Sequence, residues 1–205
     1  MLTIFPESHP RKNKVVPYFE QVAAISAFVG PQPWLFLESN DYREEAVAAV
    51  REEFLQSASF WHCGKQKIGA PARVKEVMDL PGCKYLIWIS KRVLDDGIDH
   101  IVWVFAHEFR HFMQKNGSGK DKKLEKPLKA IHDTEKVTKR FKNLDIPVEL
   151  DCELFAKQVF VEIFGKHALV RYIKRRSCNQ GGEEYYRRFF YLENILCGQS
   201  GLSVL

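Results

Sequence analysis

Two histidines and a glutamate lie within five residues of one another near the middle of the chain. Residues 107–111 read His-Glu-Phe-Arg-His. In a helix, residues i and i+4 project from the same face, one turn apart. The imidazoles of His107 and His111 can therefore reach one zinc ion, and Glu108 beside them can hold the water that shares the metal. The spacing predicts a zinc site with His107 and His111 as ligands.

The same pattern also arises by chance, as part of a charged helix face. Its surroundings favour the metal, because the preceding residues 101–106 are Ile-Val-Trp-Val-Phe-Ala and indicate a buried helix. Two imidazoles and a carboxylate in a buried helix would be costly without a partner. A zinc ion supplies that partner.

A third protein ligand is expected from another part of the chain, because catalytic zinc usually takes three protein ligands and a water. The candidate segment is a helix that starts near residue 148. On a helical wheel its apolar stripe consists of Cys152, Phe155, Ala156, Val159, Phe160 and Ile163.

The acidic residues of this helix differ in their position relative to the stripe. Glu149 and Glu153 fall at its edge, whereas Asp151 points to the opposite side. Glu149 is therefore the preferred third ligand, and Glu153 is placed to accept a hydrogen bond from a ligand histidine. Asp151, Glu153, a cysteine or no third ligand at all stay open as alternatives.

These motifs together resemble the gluzincin metallopeptidases. The segment 149–156, Glu-Leu-Asp-Cys-Glu-Leu-Phe-Ala, is similar to the Glu-x-Glu-Ala-x-x-Phe-Ala signature of the small ImmA/IrrE-like peptidases. The resemblance covers roughly residues 84–164 and implies Glu149 as the third zinc ligand. The chain departs from the family at Arg110, where such enzymes usually have an uncharged residue, and at Cys152, which replaces an alanine.

The resemblance implies an α+β fold, a small zincin-like metallopeptidase core with a short mixed sheet. The HExxH helix would carry the active site and a second helix the third ligand. The implied activity is hydrolysis of peptide bonds, with Glu108 as the general base toward water activated by zinc. A strand at 84–90 would edge the sheet, and substrate would add to it as a further strand. Five side chains are open as oxyanion donors: His132, His167, Tyr172, Tyr185 and Tyr186.

The chain is predicted to form a single domain over residues 1–205, with a zinc core at about 84–164 and a C-terminal helical extension at about 166–205. Its 205 residues and 45% hydrophobic content suffice for one buried core. Periodicity and breaker residues predict helices at 18–29, 41–57, 72–78, 97–116, 124–141 and 148–164, and strands at 34–37, 60–68 and 84–90.

The net charge of +5 is concentrated in one segment. Between Lys115 and Lys142, ten lysine and arginine residues face four acidic ones, so the rest of the chain is close to neutral. A basic field over the whole molecule is not indicated, and nucleic acid is not the expected partner. The expected partner is a protein or peptide substrate, and the 115–142 segment could steer an acidic one.

Cysteine usage favours a cytoplasmic protein. The five cysteines are odd in number and form no Cys-x-x-Cys pair, which fits reduced thiols. The N-terminal apolar run is broken early by Pro6, so it is not a signal peptide, and no stretch approaches 18 apolar residues. Gly82-Cys83 has the look of the peptide deformylase cysteine, but the wider motifs are absent and Cys83 is expected to be a small buried residue.

Two other functions stay open. One is a non-catalytic zincin-fold module that binds a protein or nucleic acid, and the other is a zinc hydrolase of a non-peptide amide. Glu108 argues against the first, because a structural zinc site closes its fourth position with protein and needs no base.

Overall fold

The fold is mixed α+β, as the sequence predicts. The computed structural model describes residues 2–38, 58–62, 77–116, 147–178 and 181–200, and for 58–62, 147 and 195–200 it describes the backbone alone. These residues belong to two compact units, Met1–Lys115 and Asn116–Leu205. The single-domain organisation and the zincin-like character of the core stay predictions.

The first unit contains a four-stranded sheet with helices before and after it. Its elements in chain order are β1 (Ile4–Phe5), α1 (Lys12–Ile25), β2 (Trp34–Leu37), β3 (Ala58–His62), β4 (Tyr85–Ile89), α2 (Lys91–Leu94) and α3 (Ile98–Asn116), the last of which ends at the unit boundary.

The sheet has the strand order β1-β2-β4-β3. The first three of these strands run parallel, and β3 pairs antiparallel with β4. Leu86, Ile87 and Ile89 of β4 are fully buried, as expected for an apolar strand in the middle of a sheet. The expectation that residues 84–90 edge the sheet is therefore wrong. Both rows of backbone groups on β4 already pair with neighbouring strands, so no substrate strand can add there.

The other predicted elements agree with the structure to differing degrees. The strand at 34–37 and the helices at 97–116 and 148–164 are confirmed to within a residue. The helix predicted at 18–29 instead covers Lys12–Ile25, because Pro17 is tolerated inside it. The predicted strand at 60–68 begins two residues earlier and is described only to His62. The helices predicted at 41–57 and 124–141, and most of the one at 72–78, lie outside the described residues.

A row of phenylalanines anchors α3 in the core of the first unit. Phe105, Phe109 and Phe112 are fully buried, and their successive ring centroids lie 5.6 and 5.4 Å apart. The row reaches α1 through Phe19, whose ring centroid is 4.2 Å from that of Phe105. It reaches the sheet through Tyr85, 5.4 Å from Phe112. The spacing of the three phenylalanines therefore serves core packing.

Polar contacts at the end of the sheet position the segment that connects β4 to α3. Glu38, buried just after β2, accepts a hydrogen bond from the backbone N–H of Lys91 at 2.7 Å. The Ser90 hydroxyl accepts from the backbone N–H of Val93 at 3.4 Å and caps α2. The carboxyl ends of β2 and β4 are thereby tied to the short helix that leads into α3.

The second unit is helical over its described residues. Its helices are α4 (Pro147–Phe164), α5 (Lys166–Ser177) and α6 (Gly182–Ser200), which confirms the predicted helical tail. The single residue between α4 and α5 is Gly165, with a φ of 84° that favours glycine. Lys157 of α4 forms an ion pair of 2.5 Å with Glu193 of α6.

Side chains of α4 form the interior of this unit. Cys152, Ala156, Val159 and Phe160 of the predicted stripe are fully buried. The Phe160 ring centroid lies 4.9 Å from that of Tyr172 on α5. Among the helices described in either unit, none has both the length and the apolar character needed to cross a bilayer. The cytoplasmic location stays a prediction.

We expect Phe105→Ala to lower the free energy of unfolding by about 3–5 kcal/mol, because it removes the ring that joins α3 to α1. Urea denaturation followed by the fluorescence of buried Trp88 and Trp103 would measure the loss. Val29→Ala is the control, since Val29 is 95% exposed and its truncation should change stability by less than about 0.5 kcal/mol. Equal effects of the two substitutions would contradict the anchoring role of the row.

Candidate metal centre

The two motif histidines meet on the side of α3 that turns away from the phenylalanine row. The Nε2 atoms of His107 and His111 are 3.2 Å apart, and the rings are nearly perpendicular at 77°. Two nitrogens bound to one tetrahedral zinc at about 2.0–2.1 Å each would be separated by about 3.3 Å. Both imidazoles are partly exposed. The separation of the two nitrogens therefore fits ligands that share one divalent cation.

Gln114 sets the orientation of the second histidine. Its Oε1 lies 3.2 Å from Nδ1 of His111, so the ring donates its Nδ1–H to the amide oxygen. The lone pair then remains on Nε2, the atom that faces His107. Metal-binding histidines usually hold their other ring nitrogen in this way. Sequence reasoning missed Gln114, although its spacing three residues after His111 puts it on the same helix face.

The charged residues between the histidines are buried. Glu108 is 8% exposed and Arg110 is 4% exposed. Both have interactions with other groups, as buried charges require. The alternative of a charged helix face at residues 107–111 stays open, although the side chains of Glu108 and Arg110 are not solvated. Arg110, which stands where the resembled enzymes usually have an uncharged residue, is therefore an interior residue.

Cys152 is a further side chain of metal-binding type. It belongs to α4 of the second unit, and its thiol is of a type that binds divalent metal ions. Cys152 is fully buried and is not in a disulfide. Cys83, by contrast, packs among the apolar residues of the first unit, as expected for a small buried residue.

The acidic residues of α4 differ in their exposure to solvent. Glu149 and Glu153 are partly exposed, and Asp151 is only 5% exposed. The helical wheel excluded Asp151 on the assumption that α4 buries one face, but Leu150, Asp151 and Cys152 are all buried. That reason for excluding Asp151 is therefore wrong. Glu149 as the third ligand and Glu153 as the partner of a ligand histidine stay predictions.

Three tyrosines surround Glu153 within the second unit. Tyr185 of α6 donates a hydrogen bond to the Glu153 carboxylate, and its pKa is raised by burial, by the Glu153 charge and by that bond. Tyr172 of α5 donates to the hydroxyl of Tyr186, and burial is the main cause of its raised pKa. Burial and the charge of Glu153 raise the pKa of Tyr186 to about 12. Glu153 of α4 thus accepts a hydrogen bond from α6, and its charge acts on tyrosines of α5 and α6.

These contacts bear on the five candidates for the oxyanion donor. Tyr172, Tyr185 and Tyr186 all belong to the network around Glu153. His167 is exposed on α5. His132 lies outside the described residues. The choice of oxyanion donor stays open among them.

Comparison of the chain with protein-family models, with curated proteins and with solved structures finds no match in any of the three. The resemblance to gluzincin peptidases rests on the residues of its two motifs, 107–111 and 149–156. Membership of that family and the identity of the metal as zinc stay predictions.

We expect Gln114→Ala to weaken zinc binding by about 10–100-fold, because the His111 ring loses the acceptor that fixes its tautomer. Competition titration against a chromophoric chelator would measure the affinity. Gln114→Glu should retain most of it, since a carboxylate accepts the same bond. Lys115→Ala, an exposed neighbour, is the control, and the loss of affinity in that variant alone would contradict the role of Gln114.

We expect the protein to lose stability as the pH rises from about 10 to about 12. The unfolded tyrosines ionise near pH 10, whereas those around Glu153 stay neutral in the folded state, so the unfolded state releases protons first. Urea midpoints measured by circular dichroism across this range should fall less steeply in Tyr186→Phe. Tyr191→Phe is the control, because Tyr191 is 51% exposed. Identical pH profiles for Tyr186→Phe and the unmodified protein would contradict this account.

Proposed function

We propose that the protein is a zinc-dependent peptidase in which His107 and His111 hold the metal and Glu108 is the general base. The observation that carries the proposal is the 3.2 Å separation of the two Nε2 atoms. The hydrogen bond from His111 to Gln114 supports it, because it leaves the ligand nitrogen unprotonated. The burial of Glu108 supports a reacting group kept apart from bulk water.

The proposed third ligand comes from α4. Glu149 is the first choice, because it occupies the ligand position of the glutamate signature that the segment resembles. Cys152 is the second choice, since its thiol is not in a disulfide and is of a type that zinc binds well. The two residues are three positions apart and share one face of α4. Substitution of each in turn would decide between them.

Zinc in such a site supplies Lewis acidity, which acidifies water and polarises a carbonyl group. The chain's own residues do the rest of the work. Glu108 accepts the proton of the attacking water on its carboxylate and returns it to the nitrogen of the leaving group. Gln114 keeps the His111 ring in the tautomer that a ligand needs. The phenylalanine row holds α3 at the rotation that presents both imidazoles together.

The proposed substrate is a polypeptide in an extended conformation. Among the described strands, β3 ends the sheet and has a paired neighbour on one side only. An extended segment can add to such a strand by main-chain hydrogen bonds. In the proposal β3 takes the role that the sequence assigned to residues 84–90. A specific protein partner is favoured over general digestion only by the family resemblance.

A second candidate function is a non-catalytic module in which the metal serves stability. Two histidines and a cysteine are a donor set that structural zinc sites also use. Glu108 argues against this function, because a closed structural site has no water for a base to act on. Hydrolysis of a non-peptide amide would use the same residues as peptide hydrolysis, and only the substrate would distinguish it.

We expect the purified protein to bind about one zinc ion per chain, and His107→Ala or His111→Ala to lose it. Glu108→Gln should keep the metal and lose hydrolysis by a factor of at least about 10², the lower limit for removal of a general base. Elemental analysis measures the metal. Mass spectrometry of peptide-library digests measures hydrolysis.

Matched controls separate the outcomes of this experiment. His100→Ala, on the same helix, should retain the metal, and Glu20→Gln, on the exposed side of α1, should retain activity. Zinc binding that survives the loss of both motif histidines would refute the site. Zinc binding with no hydrolysis in the unmodified protein would favour the non-catalytic module.

A further inference from the structure

The exposed side of α5 is densely basic. Residues 166–177 contain five lysine and arginine residues and no acidic residue. Four of the five are exposed. Val170 lies among them and is itself 66% exposed. We call this set the α5 basic face, and its members are Lys166, Val170, Arg171, Lys174 and Arg175.

The spacing of these residues arranges them in two rows along the helix. Lys166, Val170 and Lys174 follow one another at i, i+4 and i+8 and therefore form one row along the helix. Arg171 and Arg175, again four apart, form the neighbouring row. Arg171 and Arg175 are like charges four residues apart and therefore repel each other weakly. A bound anion would relieve this repulsion, so the face gains from an acidic partner.

The opposite side of α5 fixes the helix within its unit. Leu169 and Tyr172 are buried, and Tyr172 packs against Phe160 of α4. The Arg175 guanidinium lies over the Tyr172 ring, 5.6 Å from its centroid. The basic face is thus a surface of a packed helix, and the Arg175 side chain is already ordered by its contact with Tyr172. Such ordering lowers the entropic cost of binding.

We propose that the α5 basic face docks an acidic segment of a partner protein, one that carries an apolar residue among its acids. The four lysine and arginine residues of the face would meet the carboxylates. Val170, at the centre of one row, would meet the apolar side chain. The inference extends beyond the metal centre and does not depend on its catalytic activity.

The exposure of Val170 distinguishes this partner from other anions. A phosphate backbone offers hydrogen-bond acceptors and charge but no apolar group that would cover a valine between two lysines. A membrane surface would require a broad apolar face to enter the bilayer boundary. The apolar side of α5 is instead buried within its own unit. An acidic segment with one apolar residue satisfies both the charges and Val170.

The test measures binding of a fluorescent twelve-residue peptide, about half glutamate and aspartate with one central leucine, by anisotropy. The full chain is used as Glu108→Gln, so that a failure of docking is distinct from a failure of peptidase activity. Arg171→Glu with Lys174→Glu should weaken binding by at least about tenfold, and the affinity of the unmodified face should fall with salt. Val170→Ser should weaken binding of the leucine peptide but not of its leucine-to-serine form.

The control reverses the same number of charges elsewhere. Lys14 and Lys84 are exposed in the first unit, and Lys14→Glu with Lys84→Glu should leave peptide affinity within about twofold. Equal losses in the two double variants would overturn the proposal, since they would indicate a general charge effect. Tighter binding of duplex DNA, RNA or anionic vesicles than of the peptide, lost in Arg171→Glu with Lys174→Glu, would also overturn it.

Discussion

The burial of one aromatic row determines what α3 can present to a ligand. Phe105, Phe109 and Phe112 are each fully buried, and burial of each ring contributes about 1.5–3 kcal/mol. A rotation of α3 by one residue would expose part of this row and push an imidazole toward the apolar interior. Such a rotation is therefore strongly disfavoured. Core packing thus brings His107 and His111 to one side of α3, where their Nε2 atoms lie 3.2 Å apart.

Hydrogen bonds fix the protonation states of side chains that core packing has positioned. Gln114 selects one tautomer of His111 through a side-chain hydrogen bond of 3.2 Å. In the second unit Glu153 does comparable work for tyrosines of two other helices. Both arrangements place a polar side chain next to a group whose protonation state matters. Around the buried tyrosines the apolar packing also excludes competing water and keeps the partners within reach.

Sequence reasoning reached the features that depend on local periodicity. The histidine pair and the bounds of α3 and α4 follow from spacings of three and four residues. Features that depend on distant pairing escaped it, such as the antiparallel strand β3 beside β4, which makes β4 internal. The tyrosines around Glu153 come from two helices, α5 and α6, and no single stretch of sequence reveals their convergence. The burial of Asp151 escaped because a helical wheel assumes one buried face.

The joint at Gly165 has a mechanical consequence for the second unit. One residue separates α4 from α5, and its φ of 84° would strain any side chain larger than hydrogen. Because the link is so short, a tilt of α5 must displace α4 or strain the ion pair between Lys157 of α4 and Glu193 of α6. A displacement of α5 is therefore transmitted to α4, the helix that bears Glu149 and Cys152.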